Sequence, residues 1–166
     1  MTSCRSRSLP VLLAAAAVLA GCAGYPDRSI QPGISAEQVI ARMGPPAARH
    51  PAPDGGTRLE YSHPPFGKQS FMVDLDAQGR VTRVEQVLDE RQFMRIEPGM
   101  TVQQVQALIG RPSERRRGGW QPDEVWSWRH VSPFCTWFQA SVDTQGTVTS
   151  TGMGPDPMCG RRRSMF

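Results

Sequence analysis

The side chains of this 166-residue chain that could carry chemistry are few: four cysteines, three histidines and 15 carboxylates. Cys4, Cys22, Cys135 and Cys159 form no C-x-x-C pair. His50, His63 and His130 fall in or beside loop-like sequence, without metal-ligand spacing or a paired carboxylate. A nucleophile needs a base beside it, and no histidine is placed to activate a Ser or Thr. No G-x-S-x-G, phosphate-loop or H-E-x-x-H pattern is present. Asp76 and Asp143 sit in Asp-x-Gln-Gly segments and read as turn residues rather than acids or bases. The expectation is a chain without catalysis, metal or cofactor. What remains is thiol chemistry, at Cys22 and at the pair Cys135 and Cys159.

Cys22 ends a segment built for export. Arg5 and Arg7 precede a short apolar run from Pro10 to Ala20, too short for the roughly 18–20 apolar residues that span a bilayer. Leu19-Ala20-Gly21-Cys22 resembles the lipobox of bacterial lipoproteins, which implies cleavage before Cys22 and acylation of its thiol. More than one acyl chain anchors a protein stably where one does not. Ala23 stands where those lipoproteins carry an inner-membrane retention Asp, so the resemblance implies the outer membrane, facing the periplasm. In that oxidising compartment the two remaining thiols, Cys135 and Cys159, are expected to form a disulfide. Removing residues 1–21 takes away Arg5 and Arg7 and lowers the net charge from +4 to +2, which does not argue for nucleic acid.

The elements that must position these groups are written twice. Residues 30–46 align with residues 96–112 at an offset of 66, with identity at Ile30/Ile96, Pro32/Pro98, Gly33/Gly99, Gln38/Gln104, Val39/Val105, Ala41/Ala107, Gly44/Gly110 and Pro46/Pro112. Ser35 and Thr101 sit at N-cap positions with Gln38 and Gln104 three residues on, the spacing of a capping box. Ile34 and Met100 before the caps, with Val39 and Val105 at N4, add a hydrophobic staple. Gly44 and Gly110 are expected to end the helices in the left-handed region, and Pro46 and Pro112 forbid continuation.

Strands follow each helix at an offset of 67: Leu59 and Tyr61 match Trp126 and Trp128, and Phe71, Val73 and Leu75 match Phe138, Ala140 and Val142. Equal parity implies the same buried face in both copies, so these aromatics read as core. Residues 76–79 and 143–146 read as hairpin turns, and the weak alternation of Val81, Val84 and Val87 suggests a bulge. Residues 46–56 and 112–123 read as polar loops, and residues 88–95 as an extra helix. The fold class is therefore α+β: two tandem repeats, each of one or two short helices followed by a three-stranded antiparallel meander. The chain divides into a signal peptide (1–21), a lipidated linker (22–29), a first unit (30–87), a second unit (88–159) and a basic tail (160–166).

Candidate contact residues lie in the loops. Trp120, in a Gly-Gly-Trp-Gln-Pro segment, and Phe66 and Phe134, each after a proline, are potential interface anchors. Arg115, Arg116 and Arg117, with the tail arginines 161–163, are candidate contacts for anionic envelope material or an acidic partner. Trp137 has the opposite parity from Phe138 and either covers the disulfide or stands on an exposed sheet face.

Gly99-Met100-Thr101-x-x-Gln104-Val105-x-x-x-Ile109-Gly110-x-Pro112, with its near-copy from Gly33 to Pro46, resembles the signature of the SmpA/OmlA lipoproteins, the BamE-like family. The resemblance spans the chain after Cys22. It implies a helix-and-meander unit on an outer-membrane lipoprotein, a non-catalytic accessory of the machinery that inserts β-barrels or maintains the envelope. That family is typically a single unit. The tandem arrangement also looks like the secreted β-lactamase inhibitor proteins, which implies the alternative of a protein-binding or enzyme-inhibiting surface. The expected partners are an outer-membrane or periplasmic protein, with the β-barrel assembly complex as candidate, and the membrane itself through the acyl chains.

Overall fold

The computed structural model describes residues 30–52, 54–117 and 122–160. Cys22, Trp120 and the tail arginines lie outside the described residues, as does the signal segment. Two helices of eight residues, α1 (Ala36–Met43) and α3 (Val102–Ile109), occupy the duplicated motif. Both capping boxes form: the Ser35 and Thr101 hydroxyls accept from the N–H of Gln38 and Gln104, whose side chains accept the N–H of Ser35 and Thr101 at 3.0 and 2.8 Å. Gly44 and Gly110 have positive φ, 82° and 78°, but ψ of −176° and −170°. They therefore occupy the extended mirror region that is nearly reserved for glycine, not the left-handed helical well. That turn sends the chain straight away from the helix into a strand.

The strand that begins there was read as loop. β1 (Ala48–Pro51) pairs antiparallel with β2 (Thr57–Ser62), and β5 (Glu114–Arg117) pairs with β6 (Glu124–Arg129). With β3 (Ser70–Leu75), β4 (Val81–Gln86), β7 (Thr136–Val142) and β8 (Val148–Pro155), they make two four-stranded sheets, ordered β1-β2-β3-β4 and β5-β6-β7-β8. The expected three-stranded meanders are thus corrected to four strands each. β1 and β5 escaped notice because they are short, polar edges: Ala-Arg-His-Pro and Glu-Arg-Arg-Arg show no apolar alternation, which is how edges avoid unwanted pairing. The bulge expected in the first copy occurs in both, at Asp74/Leu75 and at Ser141/Val142. In residues 88–95 only α2 (Glu90–Phe93) is helical, capped by the Asp89 carboxylate.

Each unit closes on itself in the same way. Gly33, with φ of 94°, donates to Val81 O at 2.7 Å, and Gly99, with φ of 93°, donates to Val148 O at 2.8 Å. The helix start is thereby stitched to the last strand of its own meander. At the other end, Tyr61 Oη donates to Gly44 O at 3.2 Å and Trp128 Nε1 to Gly110 O at 2.9 Å. The same aromatic position thus satisfies the same carbonyl in both copies. Val39 and Met43 of α1 bury against Leu59, Tyr61, Val73 and Leu75, while Val105 and Ile109 of α3 bury against Trp126, Trp128, Phe138, Ala140 and Val142. Phe71 is only half-buried.

The units are not equivalent in how their sheets are covered. Equal parity predicted one buried face in each; the first sheet is buried on both. Its second face carries Arg58, Glu60, Met72 and Asp74, none more than 5% exposed. Met72 joins the core of the second unit. Beside it Arg58 holds Asp74 through paired bonds of 2.5 and 2.8 Å and donates to Ala107 O at 3.0 Å. Ala107 O is one of the carbonyls that the end of α3 leaves unpaired, and a cation there also opposes the helix dipole. Glu60 accepts from the Arg111 N–H at 2.8 Å, from the Ser62 hydroxyl and from His50 Nε2 at 2.8 Å. Arg111 also donates to Ala47 O.

Burial by itself would raise the Asp74 pKa. The hydrogen bonds and charge of Arg58, aided by Arg83, more than reverse this and hold it below the ordinary carboxylate range. Its stabilisation is therefore present above the unfolded-state value and is lost as pH falls through the depressed folded value. Asp74→Ala strands a buried guanidinium and should cost about 3–5 kcal/mol in urea unfolding, whereas the apolar double variant Arg58→Met/Asp74→Leu should recover most of it. Equal losses in both variants would show that the charges themselves are required.

Candidate functional site

The loops singled out by their aromatics meet at one end of the second sheet. Phe66, Lys68, Arg129, Cys135, Asp156 and Cys159 line a hollow of about 450 Å³. Its framework is a buried ion pair: Arg129 Nε donates to both Asp156 carboxylate oxygens, at 3.2 and 3.0 Å. Arg129 Nη1 reaches across to Pro65 O in the first unit at 2.5 Å, which seats the Phe66 loop. Asp156 in turn caps the short helix α4 (Pro157–Gly160) by accepting from Met158 N–H at 2.9 Å. Phe66 and Phe134 are 68% and 83% exposed, so neither tucks under its loop. Trp137 is buried on the face opposite the core, beneath the Arg129 guanidinium at 5.0 Å from the ring centroid. It belongs to the scaffold of the hollow.

The two thiols stand at the rim. Cys135 is exposed, with φ of 54°, and neither thiol is bonded to the other in this structure. They lie within hydrogen-bonding reach, and that hydrogen bond, with some burial, pushes the Cys159 thiol above its ordinary pKa. The two are held together from the backbone side as well, because Asp156 N–H donates to Cys135 O at 2.8 Å and Cys159 N–H to Asp156 O at 3.0 Å.

The arginine cluster lies elsewhere. Arg115, Arg116 and Arg117 stand on the edge strand β5 rather than in a loop. Arg115 stacks 4.0 Å over Trp126, and Arg116 pairs with Glu114 at 2.8 Å. Arg117 pairs in register with Glu124 at the start of β6, while Arg129 ends that strand. The cluster and the Arg129 end of the strand are therefore separated by about 10 Å (from Arg115) to 17 Å (from Arg117) of strand. They are two surfaces, not one site.

Some polar groups escaped the sequence reading. Arg58 and Glu60 alternate with Leu59 and Tyr61, the pattern of a solvent face, and only the packed second unit makes them interior. In the His50–Glu60–Ser62 cluster the carboxylate stands in the middle, hydrogen-bonded to both His50 and Ser62. His130, 6% exposed, lies edge-on to Phe93 at 5.1 Å, and its Nδ1 has no partner among the described residues. Burial depresses its pKa; Glu90 opposes the shift and Lys68 adds to it.

No protein-family model matches this chain, and no curated protein matches it. Among solved structures it is similar to a DUF4309 family protein (YjgB) from Bacillus subtilis subsp. subtilis str. 168, at 12% identity and a TM-score of 0.30, over 80% of this chain and 88% of that one. It is also similar to an extracellular protein containing a SCP domain from Bacillus anthracis str. Ames, at 13% identity and a TM-score of 0.30, over 84% of this chain. It spans 51% of that second chain, about half its length. Likeness this low carries no argument about function, and the BamE-like resemblance stands on the helix signature alone.

Two outcomes follow from this end of the molecule. Under oxidising conditions, peptide mapping without reductant should link Cys135 to Cys159, and reduction should cost about 3–4 kcal/mol through loop-closure entropy; free thiols in oxidised protein would exclude the bond. Because the folded His130 pKa lies below its unfolded value near 6.5, stability should fall as pH drops through that value and level off below the folded one. Chemical unfolding between pH 8 and 5 should show this slope, and His130→Leu should flatten it.

Proposed function

We propose that this chain is a non-catalytic lipoprotein of the outer membrane, anchored by acyl chains on Cys22 and facing the periplasm. In this reading it serves as an accessory scaffold in β-barrel protein assembly or envelope integrity. The observation that carries the proposal is the pairing of the lipobox with a doubled BamE-like helix signature. The described residues begin at Ile30, eight positions after Cys22. Eight residues in any conformation span at most about 28 Å, which would keep Ile30 within touching distance of membrane-embedded partners. The interlocked polar seam also suits a scaffold, since it fixes the two units against each other. The exposed Phe66 and Phe134 supply apolar contact points, and the β5 arginines a separate cationic one.

A second reading is supported by the exposed aromatics beside the hollow: a periplasm-facing binder or inhibitor of another protein. Both faces of the first sheet are already covered, so a partner would meet the outer face of the second sheet and its loops rather than a continuous two-sheet surface.

Purification in mild detergent separates the two. Under the scaffold proposal, tagged protein should bring down the β-barrel assembly components, and Cys22→Ala should release it from membranes and lose them. Clean pull-downs without those components would refute it. Capture of a soluble periplasmic enzyme, with its activity falling on titration, would favour the inhibitor reading instead.

A further inference from the structure

The two sheets end in four free strands, and only one of them is unguarded. β1 carries Arg49, His50 and Pro51; β4 carries Arg83 and Glu85; β5 carries Glu114 and three arginines. β8 is eight residues long, Val-Thr-Ser-Thr-Gly-Met-Gly-Pro, without a charge. An uncharged, exposed edge of that length is a template for another strand. Its first residue is occupied, since Val148 exchanges bonds of 2.8 Å with Gly99 and Met100. Beyond it, Asp156 N–H turns back to Cys135 O. The bulge between Val148 and Ser150 breaks the period there; counted back from Asp156, Gly154, Gly152 and Ser150 face β7, and the backbone groups of Thr151 and Met153 face outward. Neither has a backbone partner on that side among the described residues.

An apolar groove runs beside this edge. It holds about 370 Å³ and is formed by Phe93, Met94, Ile96, Phe138 and Met153, with Glu90 at its rim. Met94 and Met153 are 75% and 48% exposed, while Phe93, Ile96 and Phe138 form a buried floor. The groove lies on the core-facing side of the sheet, where Met153 pairs with Phe138. A strand added to β8 would project every second side chain into it. Methionine rims suit such a role because their side chains repack around different occupants.

We infer that β8 and this groove bind an extended peptide segment of a partner protein by strand addition. The segment is uncharged through its middle, has apolar side chains at alternate positions, and carries a basic residue where it reaches Glu90. A second copy of this chain fits less well: its own β8 has no basic residue to meet Glu90. The inference deepens the protein-binding reading above, but its test needs neither the membrane anchor nor the assembly machinery, so the two can fail separately.

The probe is a fluorescein-labelled peptide, Lys-Thr-Val-Thr-Leu-Thr-Val-Thr, titrated with the full-length protein in detergent micelles and read by anisotropy. Saturable binding is expected. Met153→Lys and Met94→Asp, both at exposed positions, should each weaken it at least tenfold while leaving the melting temperature unchanged. Thr82→Lys on the β4 edge should have no effect. N-methylation of the peptide amides that face β8 should abolish binding, and methylation of the alternate amides should not. No saturable binding, or binding indifferent to Met153→Lys and to N-methylation, would overturn the inference. So would a concentration-dependent dimer that Met153→Lys dissolves, which would make a second copy the occupant. Binding that arises only after truncation at residue 160 would overturn it too, by making the tail the occupant.

Discussion

The structure rests on a polar seam that both units need. Arg58, Glu60 and Asp74 are fully removed from water on a sheet face that, by pattern, belongs to solvent. Charges survive there because they are paired and hydrogen-bonded, and two of the partners, Ala107 O and the Arg111 N–H, are backbone groups at the end of α3. The second unit supplies what the first unit's charges require, and those charges complete the second unit's helix. Gly110 belongs to the same arrangement: a Cβ there would stand 3.0 Å from the Glu60 carboxylate, whereas one on Gly44 would meet nothing within 4 Å. One glycine is needed for its backbone alone, the other also for the approach of Glu60.

The same comparison separates the outer faces of the two sheets. At the offset of 67, Arg58, Glu60 and Asp74 correspond to Val125, Ser127 and Ser141. The outer face of the second sheet therefore lacks the groups that would hold a third helix end, and it leaves Gln139 and Ser141 half-exposed. Duplication repeated the unit, and divergence at three strand positions made one face an interface and the other a surface.

The exposed features divide along the same line. The buried ion pair Arg129–Asp156 organises one end, where exposed phenylalanines and paired thiols meet across the unit boundary. The β5 arginines and the β8 edge lie on opposite margins of the second sheet.

What the chain determined by itself is local. Capping boxes, helix-ending glycines, the Asp76 and Asp143 turns and the inward parity of Tyr61, Trp126, Trp128 and Phe138 all depend on residues a few positions apart, and each was legible from spacing. Tertiary structure decided the rest. β1 and β5 are strands because a neighbour offers its hydrogen bonds, not because their polar residues favour it. Arg58 and Glu60 are interior because a second unit covers them, and their alternation with Leu59 and Tyr61 is identical to that of a wet face. Sequence records which side chains share a face; whether water or another layer lies on that face is a long-range fact that no local pattern encodes.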